Sequence, residues 1–306
     1  MPETSTAREN VHRYTGERLT PLLAMMRADG AFPYRNGGAG IAECTCYAIL
    51  ACKAAGDSAA DLTISLDWLQ KLQRNDGGFA PQTSVNGSNW VTSLGALTMG
   101  AHGRSEAQRK AVEWLLGLTG MESEWLPRTI RNTLGIETAY PQNHHGWPWV
   151  KGTAAWLMPT ALGLLALLHA RKSGRFDDLN TQLDERIDEA RKMLLDRRCA
   201  DGGWNHGAPA ALEVNADSYP ETTGMALIAL QGVPSEAIAG ADDLGARMLS
   251  KTHFANAASW LQIGLTARGH ALKIGEEEAI QCRNSLDYAL RVLALQAIGG
   301  NNILRA

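Results

Sequence analysis

The sequence lacks any apolar run of about 18 residues, so nothing in it reads as a membrane span. Its opening stretch, MPETSTARENVHRYTGERLT, has no apolar signal core, and the expected location is the cytoplasm. Net charge is small: 29 Lys and Arg against 32 Asp and Glu leave −3. That excludes the basic footprint of a nucleic-acid binder and gives no reason to expect an anionic membrane as partner. Cysteine is sparse and odd in number, five in 306 residues, which reads as reduced thiols rather than a disulfide framework. Strand-like alternation of apolar and polar residues is also missing.

What remains is a chain that is 45% hydrophobic, ample for a large core. At this length single cores usually split into domains, a limit that a repeat architecture escapes because each unit packs on its neighbours. A repeat is present. RADGAFPY (Arg27 to Tyr34), RNDGGFAPQ (Arg74 to Gln82), NHHGWPW (Asn143 to Trp149) and CADGGWNHG (Cys199 to Gly207) are variants of one phrase. Gly30 to Thr45, Gly77 to Thr92 and His145 to Thr160 each span 15 residues, whereas Gly202 to Thr223 spans 21, six more. An apolar run follows each threonine. Its third residue is small every time: Ala48, Gly95, Gly163, Ala226.

Those runs are apolar nearly all round, the mark of buried helices. Their small residues are expected to let neighbouring helices approach closely. Between them lie amphipathic segments such as DLTISLDWLQKLQ and TQLDERIDEARKMLLDRR, with leucines on one stripe and charges opposite. DERIDEARK reads as the wet face of an outer helix, and KIGEEEAI as a surface acidic patch. The order predicts six outer/inner pairs: 6–28/42–55, 60–74/90–101, 105–118/157–171, 180–198/220–231, 236–251/255–268 and 275–281/284–298. Closed on themselves, these pairs make an all-α (α/α)6 barrel, one domain over 1–306. The Gly-rich turns are where an outer helix stops and the chain doubles back. Every inner helix then starts at one mouth, the natural place for a site.

LQKLQRNDGGF and LLDRRCADGGW resemble the glutamine–tryptophan repeat of squalene–hopene and oxidosqualene cyclases, found in looser form in protein prenyltransferase β-subunits. GWPWVKGTAAWLMPTALGLLALL is similar to their inner-helix starts, and the resemblance covers roughly residues 20 to 232. It implies the toroid fold and an apolar, isoprenoid-like ligand. Proton-initiated cyclases of this kind open an inner helix with Asp-x-Asp-Asp-Thr, whose middle Asp is the general acid. Tyr219-Pro220-Glu221-Thr222-Thr223 is the best match here, and of its carboxylates the middle one survives, as Glu221. Glu43 holds the same place two residues before Thr45, and Asp217 is near. The resemblance thus implies an isomerase or lyase of terpene-cyclase type with Glu221, Glu43 and Asp217 as acid and base candidates. No cofactor is implied. Prenyltransferases hold zinc with Asp, Cys and His and need a partner subunit. CTCY supplies Cys46-Tyr47 but not the Asp, and the later His position is empty, so no metal is assigned. The Gly-Cys-Gly-Glu-Gln of thioester domains is absent.

Ligand-binding candidates at the mouth are Trp90, Trp156, Trp149, Tyr219, Tyr47, His145 and Arg35. Aromatic faces stabilise carbocations, and an arginine could meet a diphosphate. Each has a plainer alternative. Turn tryptophans pack repeat joints, a turn arginine is solvated, and a carboxylate in the first turn of a helix caps N–H groups and lies on the favourable end of the dipole. His144, His145 and His206 share the mouth turns with Cys44 and Cys46, but their spacing matches no standard zinc pattern. Two other readings stay open: a carbohydrate-active (α/α)6 enzyme with paired carboxylates, and a non-catalytic binding or scaffold toroid.

Overall fold

The computed structural model describes residues 2–56, 61–121, 145–211, 214–275 and 277–306. Eleven α-helices lie among them: α1 (Pro2–Ala24), α2 (Ala42–Ala55), α3 (Thr63–Lys71), α4 (Val91–Ala101), α5 (Ser105–Leu116), α6 (Leu157–Lys172), α7 (Asn180–Asp196), α8 (Pro220–Ala229), α9 (Ala241–Leu249), α10 (Ala255–Ala267) and α11 (Ser285–Ile298). Helices α2, α4, α6, α8, α10 and α11 each pack on the next, and α11 returns to α2, closing an inner ring of six. Outside it, α1 packs on α11 and α2, α3 on α2, α5 on α4 and α6, α7 on α6, and α9 on α8 and α10. This is the expected (α/α)6 toroid.

The repeated phrase has a specific physical basis. The aromatic after each turn is fully buried, and its backbone N–H donates to the Oγ1 of the threonine that opens the inner helix. The distances are 3.0 Å for Phe32–Thr45, 2.8 Å for Phe79–Thr92, 3.0 Å for Trp147–Thr160 and 3.1 Å for Trp204–Thr223. The two tryptophans also donate their indole N–H to the end of the preceding outer helix: Trp147 to the Leu115 carbonyl at 2.9 Å, Trp204 to the Leu194 carbonyl at 2.7 Å. A buried indole needs such a partner. The small third residue serves the ring. A Cβ on Gly95 would lie 2.6 Å from Phe79, and one on Gly163 would lie 2.7 Å from Trp147. The expectation that these small residues admit a neighbouring helix is corrected at Gly95 and Gly163, which admit the aromatic of their own turn. Close helix approach occurs at other glycines, where Gly224 of α8 meets the Trp260 backbone of α10 and Gly264 of α10 meets the Gly224 carbonyl.

In the turns, Asp29, Asp76 and Asp201 each accept from the N–H two residues on. Gly30, Gly77 and Gly202 have φ of 87°, 92° and 99°, a region that side chains resist. The six extra residues of the fourth turn carry the hairpin β1 (Ala210–Ala211) and β2 (Val214–Asn215), antiparallel with Ala210 opposite Asn215.

Two charge readings are corrected. Arg186, in the stretch read as a wet face, is buried. It donates to the His145 carbonyl at 2.8 Å and the Leu118 carbonyl at 3.0 Å, and its guanidinium lies 4.2 Å from the Trp147 ring centroid. In the acidic stretch near 277, Glu278 is exposed as expected but Glu277 is not. The sixth outer position holds a 3-10 turn, Glu277–Ala279, in place of the predicted helix. Glu277, 1% exposed, pairs with Arg291 of α11, 0% exposed. Arg291 also donates to Gln262 Oε1 of α10 at 2.6 Å, and Arg18 of α1 donates to the Glu277 carbonyl at 3.0 Å. One buried charge pair thus sews the irregular segment to α1, α10 and α11. The ring closes at its seam through Ser285, which donates to the Pro33 carbonyl at 2.6 Å, and Asn284, which donates to the Tyr34 hydroxyl at 3.0 Å.

Candidate functional site

Because each inner helix begins at the same end, their first two turns surround a common space. A cavity of about 510 Å³ lies there, within the range of small-molecule sites. Glu43, Glu221, His206, Phe254, Asn256 and Leu286 come from helix starts or the turns before them. One turn deeper are Tyr47, Met225, Trp260 and Leu290, with Met158 and Ala257 completing the lining. Five of the six inner helices contribute. No lysine or arginine is among the described residues that line it.

Glu43 is the second residue of α2 and Glu221 the second of α8, the equivalence seen in the sequence. Their surroundings differ. No described residue gives the Glu43 carboxyl a hydrogen bond or an ion pair, and burial pushes its pKa up to about 7. The positive end of the α2 dipole would lower it, so desolvation wins. Glu221 instead has His206 Nε2 at 3.4 Å from its Oε1. The His206 ring lies 5.5 Å from that of Tyr219, and its carbonyl accepts from the Leu157 N–H at 3.2 Å.

Below Glu43 on the same helix, Tyr47 is 1% exposed and its hydroxyl has no hydrogen-bond partner among the described residues. The ring meets Trp260 edge-on, 6.1 Å between centroids. An unpaired buried hydroxyl is costly; other atoms of Tyr47 line the cavity. Cys44 and Cys46 are buried beside Glu43, and burial raises their thiols to about 11 and about 12. They are poor thiolate ligands at neutral pH. None of the five cysteines is in a disulfide.

Of the residues singled out by sequence, Glu43, Tyr47, Glu221 and His206 line this cavity; Trp90, Trp149, Trp156, His145, Asp217, Tyr219 and Arg35 do not. Trp90 and Trp149 pack on each other edge-on at 5.1 Å, and the Trp90 N–H donates to the Trp149 carbonyl at 3.1 Å. Trp156, half-exposed, lies against Gly207. His145 Nδ1 is 3.3 Å from Glu189 Oε1 on an outer helix. Asp217, Tyr219 and Arg35 are exposed on turns. His144 lies outside the described residues. The reading from sequence missed Trp260, Met225 and Leu290, whose inward direction is set by helix phase within runs that are apolar all round. It noted His206 without its carboxylate partner.

No protein-family model matches the chain, and no curated protein matches it in sequence. Solved structures do match in shape. A mutant of Rex8A from Paenibacillus barcinonensis, complexed with xylose, superposes with a TM-score of 0.60 at 10% identity, covering 98% of this chain and 97% of that one. Endoglucanase Cel10 from Klebsiella pneumoniae, a family 8 glycosyl hydrolase, gives 0.56 at 11% identity, with 92% and 98% covered. Protein geranylgeranyltransferase-I from Candida albicans, complexed with GGPP, gives 0.48 at 16% identity over 68% of this chain and 56% of that one, a match too loose to argue from. At these identities the likeness is one of fold: an α/α toroid. No helix among the described residues is long and apolar enough to cross a membrane.

Proposed function

We propose that the barrel takes a neutral, apolar, isoprenoid-like molecule into the mouth cavity and starts its cyclisation by protonation from Glu43. The observation that carries this is the state of that carboxyl. It is desolvated, has no hydrogen-bond or ion-pair partner among the described residues, is held up to about 7, and shares the cavity with Tyr47, Met225, Trp260 and Leu290. A catalytic acid must keep its proton at the working pH. Glu221, the acid by resemblance, is the second carboxylate, placed with His206 to receive a proton. Glu43 gives its proton to one alkene carbon, and the π electrons form the new C–H bond. The resulting cation is attacked by the next double bond. The last cation loses a proton to the Glu221–His206 pair, and Glu43 is reprotonated from the mouth. The faces of Tyr47 and Trp260 stabilise the passing charge by about 1–2 kcal/mol each in a dry site; Trp90 and Trp156 have no part in this scheme. No lysine or arginine is among the described lining residues, which favours a neutral ligand over a diphosphate.

One observation favours a second reading. An acid-poised carboxyl and a histidine-paired one share a cavity, the pairing that glycoside hydrolysis needs. The xylose-bound Rex8A structure has the same fold over its whole length. A product screen with squalene, oxidosqualene, prenyl diphosphates and xylo-oligosaccharides separates the two. The isoprenoid reading predicts a cyclic hydrocarbon or alcohol, and shortened oligosaccharides alone would replace it with the carbohydrate one.

A further inference from the structure

The mouth cavity reaches down α2 as far as Tyr47. Leu50, three residues on, lines a second cavity of about 350 Å³ at the opposite end of the barrel. Glu43, Tyr47 and Leu50 follow one another on a single face of α2, at the i, i+4, i+7 spacing of a helix. Tyr47 and Leu50 differ in height by about 4.5 Å, so the partition between the cavities is a single layer of side chains.

Helix α6 repeats the arrangement. Met158 lines the mouth cavity and His169 the second one. The step from 158 to 169 is close to three full turns, so both lie on one face of the helix. Leu162 and Leu165 fall on that face between them, each 1% exposed. From α10, Trp260 adds its ring, edge-on to Tyr47. Size is informative too. At the ~30 Å³ that a water takes in the liquid, the mouth cavity of about 510 Å³ holds about 17 non-hydrogen atoms. The second cavity holds about 12 more by the same measure, and Leu50, Leu97 and Leu304 give it an apolar side.

Resting on the apolar-ligand reading above, we infer that the layer of Tyr47 and Trp260, backed by Leu50, Leu162 and Leu165, is a depth stop that sets the length of isoprenoid the barrel encloses. The enclosed length is about 15 to 20 carbons. A longer chain enters as far as the stop and leaves its surplus at the mouth, in water. Opening the layer joins the two cavities into one that encloses about 30 carbons. Leu50, Leu162 and Leu165 thus act on ligand length from behind the cavity wall, since none of them lines the mouth cavity itself.

Equilibrium binding of the all-trans prenyl alcohols from C10 to C30 to the intact chain tests this without turnover, each Kd being referred to the free alcohol in water. In the parent, Kd is expected to fall with each added isoprene unit up to about C15 to C20 and then to level off. In Leu165→Ala and in Leu50→Ala/Leu165→Ala the fall should continue toward C30. The preference for C30 over C15 should rise roughly tenfold or more, since each further isoprene unit is then buried. Unfolding midpoints show which variants keep the fold, and the parent series is decisive by itself if neither does. A parent Kd that keeps falling to C30 overturns the depth stop. So does a plateau that the folded variants leave in place. Both of those results leave the apolar-ligand reading standing, whereas binding of none of the alcohols overturns the two together.

Discussion

Gly163 lies against the indole of Trp147, so close that a Cβ there would meet the ring at 2.7 Å. Alanine in place of a helical glycine normally gains up to about 1 kcal/mol. Here the ring is held by its indole N–H bond to the Leu115 carbonyl and the residue's backbone by its N–H bond to Thr160, so the ring has little room to yield. Overpacking should win, and Gly163→Ala should lose about 1–3 kcal/mol in chemical unfolding. An unchanged or raised midpoint would show that the ring moves freely.

That contact also marks how far the sequence could be read. The 15-residue spacing from turn to threonine and the small third residue were visible, and they define the ring of inner helices. Their cause was not, because it is a contact between a turn and its own helix that no periodicity reports. Glu277 and Arg186 look like surface charge in the sequence; each is buried because a long-range partner, Arg291 or the Leu118 and His145 carbonyls, receives it. At the site, equivalence of position made Glu43 and Glu221 candidates together. What distinguishes them, His206 beside one and burial around the other, depends on a turn insertion and on side chains from α10 and α11.

Thr160→Val removes the acceptor of the Trp147 N–H and leaves that buried donor unpaired. The expected cost is about 1–3 kcal/mol, with Thr160→Ser restoring most of it. Hydrogen exchange at the Trp147 amide should speed up in the valine variant beyond what the global loss of stability explains.

Arg291→Met strands Glu277 in the core and should cost about 3–5 kcal/mol. Replacing both partners with apolar residues should recover much of that loss, since the pair's desolvation is removed with it. A single variant as stable as the parent would mean that the segment around Glu277 is not held by the pair.

Glu43 makes stability depend on pH. Its pKa is 4.5 when unfolded and about 7 when folded, so the folded chain binds the extra proton between those values. Stability is therefore greatest with respect to this group below about 4.5, falls as pH rises through that window, and levels off above about 7. The full span is up to about 3 kcal/mol. Glu43→Gln should lack this component and be more stable than the parent above neutrality. Parallel stability–pH curves for the two proteins would contradict the buried, protonated carboxyl.

The most direct test of the account is turnover. Parent, Glu43→Gln and Glu221→Gln proteins are incubated with squalene, oxidosqualene and prenyl diphosphates from pH 5 to pH 9, and extracts are read by gas chromatography–mass spectrometry. The account predicts a cyclic product from a neutral polyene, absent in Glu43→Gln, reduced in Glu221→Gln, and declining in the parent as pH passes about 7. A cyclic product that persists in full with Glu43→Gln would contradict it.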